Sequence, residues 1–297
     1  RGNSLYLQGE EKELRYFEKK FNYILDHYYQ FNILTVDIIS QILQNDYDGG
    51  DGNPEEEPDI LVYSISGKPV RARTPNQRVL VEKVKDNDLI FAIGPAGTGK
   101  TYTAIALAVK ALKNREIKKI ILCRPAVEAG ERLGFLPGDL KEKIDPYLQP
   151  LYDALQDMLP GKKLEEYIKD GIIQIAPLAF MRGRTLSNAC VILDEAQNTT
   201  VNQLKMFLTR MGLNTKYIIT GDITQIDLPE RTPSGLLQAL RILRNIEGIQ
   251  VVTFDKRDIV RHRLVREIVE AYDQYATEKA SREPSVQESN NQEEQKK

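Results

Sequence analysis

The chain has 297 residues, of which 41% are hydrophobic and 28% charged, and its formal net charge is −2. That length suits one domain of the usual size, roughly 100–200 residues, plus a small appendage. No apolar run approaches the roughly 20 residues of a membrane span, and the near-neutral charge excludes an overall basic nucleic-acid binder while leaving room for a local basic groove.

The chain opens on Arg1 with no charged-then-apolar leader, so the start reads as trimmed, and a cytoplasmic protein is expected. Residues 1–44 combine a short alternating run, SLYLQG, with two amphipathic stretches and are expected to form a small α/β domain. Residues 45–59 are acidic and rich in Gly and Pro, and with the strand-like ILVYSIS they form an expected linker over 45–70. Thr74-Pro75 is a sound helix start. From Leu89 onward, apolar runs LIFAI, KKIILC, IIQI, CVILD, KYIIT and IQVVTF alternate with helical patterns. This alternation predicts an α/β fold with a mostly parallel sheet covered by helices on both faces. Residues 125–170 interrupt the rhythm and are expected to form a partly helical insertion open to substrate or partner. A closing helix is expected over Asp258 to Ala276, and a disordered tail over 277–297. Cys123 and Cys190 lie in or beside β-like runs, where buried thiols are the plain reading; His27 and His262 have no Cys/His cluster around them.

GPAGTGKT, at 94–101, follows the strand LIFAI and precedes a helix, the context a phosphate-binding loop requires. Gly94, Gly97 and Gly99 permit the bends, Pro95, Ala96 and Thr98 complete the loop, and the helix start adds amides and dipole. Lys100 is expected on the β- and γ-phosphates of ATP, and the Thr101 hydroxyl on Mg²⁺. CVILDEAQ ends a strand in two carboxylates: Asp194 is assigned to the metal, and Glu195 is the general base for the attacking water. In YIITGDITQ, Thr220, Asp222 and Gln225 reach the same sheet edge and are candidates for sensing the γ-phosphate. A Gly-rich turn or a Gly-Asp turn alone would be common; the order of the three segments carries the reading.

TPNQ at 74–77, GPAGTGKT, Arg124-Pro125, GFLPGD at 134–139, MRGRTL at 181–186, LDEAQN at 193–198, TGDxxQ at 220–225 and DIVRHRLV at 258–265 together resemble the PhoH-like ATPase family over about Arg71 to Ala276. The leader resembles that family's KH-like segment, read as cut at RGN and without a GXXG clamp. The resemblance implies a single RecA-like P-loop ATPase domain over 71–276, akin to helicase motors. It implies that Gln77 reads the adenine edge, and a planar amide can do so through two bonds. It implies that Arg261 stabilises charge on the transferring phosphoryl group. The sequence shows no second P-loop-like lobe to supply that arginine, so a homo-oligomeric ring, a hexamer as the resemblance implies, would supply it from a neighbour. Arg263 stands where the family pattern has proline.

The resemblance implies RNA handling, with single-stranded RNA as partner and ATP hydrolysis coupled to its remodelling. Arg124, Arg132, Lys141, Lys143, Arg182 and Arg184 are basic groups that would follow a phosphate backbone. Two other readings stand beside it: a nucleotide-dependent switch that recruits an RNA-processing endonuclease, and, weakened by the Asp-Glu pair, a P-loop kinase.

Overall fold

The computed structural model describes residues 6–31, 34–44, 60–125, 140–229, 231–260, 264 and 268. The chain divides into Arg1–Asp258 and Ile259–Lys297, and the sheet and site lie in the first unit. The acidic segment 45–59, GFLPGD at 134–139, Arg132, Arg261 with most of its expected helix, and the tail fall outside the described residues.

Six strands form one parallel sheet in the order β5-β4-β6-β7-β3-β8. They are β3 (Leu89–Ile93), β4 (Lys119–Arg124), β5 (Ile173–Pro177), β6 (Ala189–Leu193), β7 (Thr215–Gly221) and β8 (Ile249–Thr253). The central strands β3 and β6 are buried along their whole length, as strands covered on both faces must be. Alternate side chains feed two cores. Ile90, Ala92, Ile120, Leu122, Ile192 and Ile218 face α3 (Pro75–Asp86), α4 (Lys100–Lys113) and α5 (Leu140–Met158). Phe91, Ile121, Val191, Leu193, Tyr217 and Ile219 face α7 (Val201–Leu208) and α8 (Gly235–Ile242). Each fully buried Leu, Ile or Phe contributes about 1.5–3 kcal/mol. This is the α/β architecture, a parallel sheet with helices on both faces, that the alternation in the sequence predicts. Cys123 and Cys190 are free buried thiols on opposite faces, and burial pushes the pKa of both up to about 12.

Helix starts follow local chemistry. Thr74 caps α3 by accepting from Gln77 N, with Pro75 at the first position. Thr200 and Gln203 form a reciprocal capping box on α7.

Two expectations are redrawn. Among the described residues of 1–44 there are two helices, α1 (Glu11–Phe31) and α2 (Val36–Gln44), and the stretch Tyr6–Glu10 is not a strand. A strand needs a partner, and the short strands nearby pair with each other: β1 (Ile60–Tyr63) and β2 (Pro69–Arg71) form an antiparallel hairpin. Leu61, Val62 and Val70 join the α4/α5 core, so 60–71 is part of the same body as the sheet. The stretch expected as an excursion is, from residue 140, the crossover from β4 to β5. Its α5 and α6 (Gly161–Lys169) bury Leu148, Leu151, Leu155 and Leu164 against the sheet.

Candidate functional site: the phosphate loop and the acidic strand ends

Four adjacent strands, β4, β6, β7 and β3, deliver Arg124, Asp194-Glu195, Thr220-Asp222 and the 94–101 loop to one edge. Ligands of open α/β sheets bind at this carboxyl edge.

The loop is shaped by two glycines at which a side chain would collide or strain the backbone. A Cβ on Gly94 would lie 2.4 Å from Phe254 O, and one on Gly99, at φ +76°, would lie 2.7 Å from Gln77 Nε2. Gly99 starts α4 without any side-chain cap. The helix therefore presents bare amides and its positive dipole end, a ready anion site. Lys100 is buried, and its ammonium donates to Gly94 O and Pro95 O, both at 2.7 Å, and more weakly to Thr98 Oγ1 at 3.4 Å. It is thus tethered within the loop's own concavity. Gln77 braces the outside: Nε2 donates to Thr98 O at 2.9 Å, and Oε1 accepts from Arg73 N at 2.8 Å.

Thr101 Oγ1 donates to Asp194 Oδ1 at 2.6 Å, and Thr220 Oγ1 donates to the same oxygen at 2.7 Å. The loop, β6 and β7 therefore converge on one buried carboxylate oxygen. Asp194 Oδ2 turns the other way, 4.0 Å from Arg124 Nε. Glu195 adopts left-handed backbone angles, φ 53° and ψ 41°, at the start of a one-turn 3₁₀ helix, Ala196–Asn198. A non-glycine residue in this region costs energy, and the Glu195 carboxylate has its own partners. Oε1 accepts from Arg124 Nη2 at 3.2 Å and Oε2 from Gln197 Nε2 at 2.6 Å.

Gln197, 1% exposed, is a junction. Besides Glu195, its Nε2 donates to Gln225 O at 3.1 Å, while its Oε1 accepts from Asp222 N at 3.1 Å. Asp222 in turn accepts from Ala96 N through Oδ2 at 3.1 Å and from Thr224 N and Oγ1 through Oδ1 at 2.9 and 2.6 Å. A continuous chain of bonds thus joins the phosphate loop, the β7 end and Glu195.

The structure brings together Lys100, Thr101, Asp194, Thr220 and Asp222 at one end of the sheet, with Glu195 beside them. Gln225 contributes its carbonyl, and its side chain is exposed. Arg124, grouped in the sequence with basic residues for a nucleic-acid backbone, is engaged with the acidic pair instead. Sequence reasoning misses Gln197, although its place in LDEAQ, two residues past Glu195, is the available signal. A cavity of about 1140 Å³ lies at the far end of α4, where Tyr23, Tyr63, Lys113 and Lys163 line it, and includes none of these residues.

Comparison with known proteins agrees with this layout. The model of the family described as PhoH-like protein matches residues 69–273. A PhoH-like protein of Bacillus subtilis is 52% identical over 277 residues, covering 92% of this chain and 86% of that one. The chain belongs to the PhoH-like family. Other members include a PhoH-like protein of Mycobacterium tuberculosis, 48% identical over 93% of this chain and 78% of that one, and the protein PhoH of Escherichia coli, 46% identical over 69% of this chain and 58% of that one. Among solved structures, the Pif1 helicase of Candida albicans matches with a TM-score of 0.35 at 13% identity, over 66% of this chain and 42% of that one. The large terminase of a thermophilic bacteriophage matches with a TM-score of 0.38 at 12% identity, over 66% of this chain and 49% of that one. The family match runs across the whole phosphate loop, the acidic strand end and the TGDxxQ segment, so this PhoH-like chain is a P-loop NTPase. Among its described residues no helix is long and apolar enough to cross a membrane.

Proposed function

We propose that this PhoH-like protein is a Mg²⁺-dependent ATPase that couples hydrolysis to RNA remodelling in the cytoplasm. The observation that carries the catalytic part is the convergence of Thr101 and Thr220 on Asp194 Oδ1, 2.6 and 2.7 Å away, with a separate carboxylate, Glu195, beside it. In this reading Asp194 serves the metal and Glu195 is left for the attacking water.

The donor set fits Mg²⁺. Among the described residues there is no group of three or more His, Cys, Asp or Glu that would cage a metal. A hydroxyl and one carboxylate suit an ion that keeps several waters and takes its other oxygens from substrate phosphates. Thr101 and Asp194 would hold it, and when bound it supplies charge neutralisation for the phosphates.

The remaining steps belong to the protein. The bare amides at the start of α4 and the Lys100 ammonium hold the phosphates, with Lys100 exchanging loop carbonyls for phosphate oxygens. Glu195 takes a proton from the water aimed in line at the γ-phosphate. Gln77 is proposed to read adenine, for which its amide would exchange Thr98 O and Arg73 N for the base. Arg261 of a neighbour in a homo-oligomeric ring is proposed to meet the charge on the transferring phosphoryl group.

The RNA part rests on what membership of the family implies. It is tested by measuring phosphate release with and without single-stranded RNA across a salt series. Stimulation that weakens with salt supports it. RNA that changes neither rate nor affinity refutes the coupling and leaves a nucleotide-dependent switch, such as one recruiting an endonuclease.

A further inference from the structure

Arg124 ends β4, the strand next to β6, and its guanidinium reaches three groups on two other elements. Nη2 donates to Glu195 Oε1 at 3.2 Å, Nη1 donates to Tyr147 O in α5 at 3.0 Å, and Nε lies 4.0 Å from Asp194 Oδ2. The planar fork is therefore fixed on one side by a helix carbonyl and on the other by the carboxylate that activates water.

An ordinary surface ion pair is the plain alternative. The two side chains are 22% and 36% exposed, and a pair this accessible adds little to stability. Its value lies in geometry. Glu195 sits on a strained left-handed residue and has donors on both carboxylate oxygens, Arg124 from β4 and Gln197 from its own turn. A carboxylate has about four lone-pair positions, so two stay available for water while the plane of the group is set. Lysine could not replace the fork, because an ammonium is a point charge that does not span Glu195 and Tyr147 O in one plane.

We propose that Arg124 is a positioning residue for water activation: it orients the Glu195 carboxylate, with the α5 carbonyl as its fixed anchor. This rests on the reading of Glu195 as the base.

The test uses the full chain with Mg²⁺ and ATP, comparing wild type, Arg124→Ala, Arg124→Lys, Glu195→Gln and the double variant Arg124→Ala/Glu195→Gln. Misplacing a catalytic group by about 1 Å costs up to roughly 100-fold in rate. Arg124→Ala is therefore expected to lower kcat about 10- to 100-fold, with nucleotide Kd changed less than about threefold. Arg124→Lys is expected between Arg124→Ala and wild type. Because Arg124 acts through Glu195, the double variant is expected to be no slower than Glu195→Gln alone. A kcat for Arg124→Ala within about twofold of wild type overturns the proposal. So does a Kd that weakens as much as kcat falls, or a double variant whose losses multiply. Glu195→Gln at the wild-type rate is a different failure, that of the base assignment itself. Glu195→Gln inactive beside a fully active Arg124→Ala removes only the role of Arg124.

Discussion

Asp222→Asn is the sharpest perturbation of the loop, because it keeps shape and removes one acceptor. Both carboxylate oxygens of Asp222 accept: Oδ2 from Ala96 N, and Oδ1 from Thr224 N and Oγ1, at a residue 4% exposed. An amide has one oxygen, so its NH₂ must face donors on one side. The favourable orientation keeps the oxygen on Ala96 N and leaves the exposed Thr224 donors to water. With hydrogen bonds to charged groups contributing about 1.5–3 kcal/mol, the loss is about 2 kcal/mol. At roughly 2–4 °C per kcal/mol for a body of this size, thermal unfolding should drop by about 4–8 °C. Asp222→Ala, which abandons Ala96 N as well, should drop further and bind nucleotide more weakly. Thermal unfolding and a nucleotide titration by calorimetry check both. If Asp222→Asn melts within about a degree of wild type, the carboxylate's bonds to Thr224 contribute nothing and the reasoning is refuted.

Thr101→Ala removes a hydroxyl from Asp194 Oδ1, whereas Thr101→Ser keeps it. Phosphate release over a Mg²⁺ titration should be abolished in the first and largely retained in the second. Gly94→Ala drives a Cβ to 2.4 Å from the Phe254 carbonyl oxygen, so the loop or the end of β8 must move. A loss of about 1–3 kcal/mol in urea unfolding, with weakened nucleotide binding, is expected. Gln197→Glu sets a second carboxylate against Glu195 Oε2 and a carbonyl, and a steady-state assay should show a lower kcat. For Asp258, burial acts to raise the pKa, but bonds from Asn76, Thr74 and the Asp255 amide outweigh it and hold the group below the usual carboxylate range. A depressed folded-state pKa gives stability that is present above about pH 3.9 and lost as pH falls through the folded value. Asp258→Asn should lower stability at neutral pH and flatten its fall in acid, as an acid-unfolding series by circular dichroism would show.

The parallel sheet is legible in the sequence because strands buried on both faces must be apolar throughout, and LIFAI and CVILD carry no polar residue before their functional ends. The phosphate loop is legible for a local reason: glycine spacing, Lys100 and Thr101 encode its bends within eight residues. Helix α5 reads as part of an excursion because Pro146 and Pro150 interrupt it. Its burial of Leu148, Leu151 and Leu155 depends on the sheet face it crosses, which no local pattern shows. Arg124 and Gln197 are opaque for the same kind of reason. Their partners lie 71 and 28 residues away for the Glu195 and Gln225 bonds, so their roles arise only when strands β4, β6 and β7 align. In sequence Arg124 is one basic residue among several, and its pairing with an acid is a property of the sheet order.

The proposed hydrolysis rests most on Glu195 acting on water while Asp194 and the loop hold the nucleotide. Equilibrium binding of ATP with Mg²⁺ and phosphate release, measured on wild type and Glu195→Gln, test that division of labour. The variant should bind with unchanged affinity and hydrolyse at least about 100-fold more slowly. Hydrolysis at the wild-type rate by Glu195→Gln would contradict it.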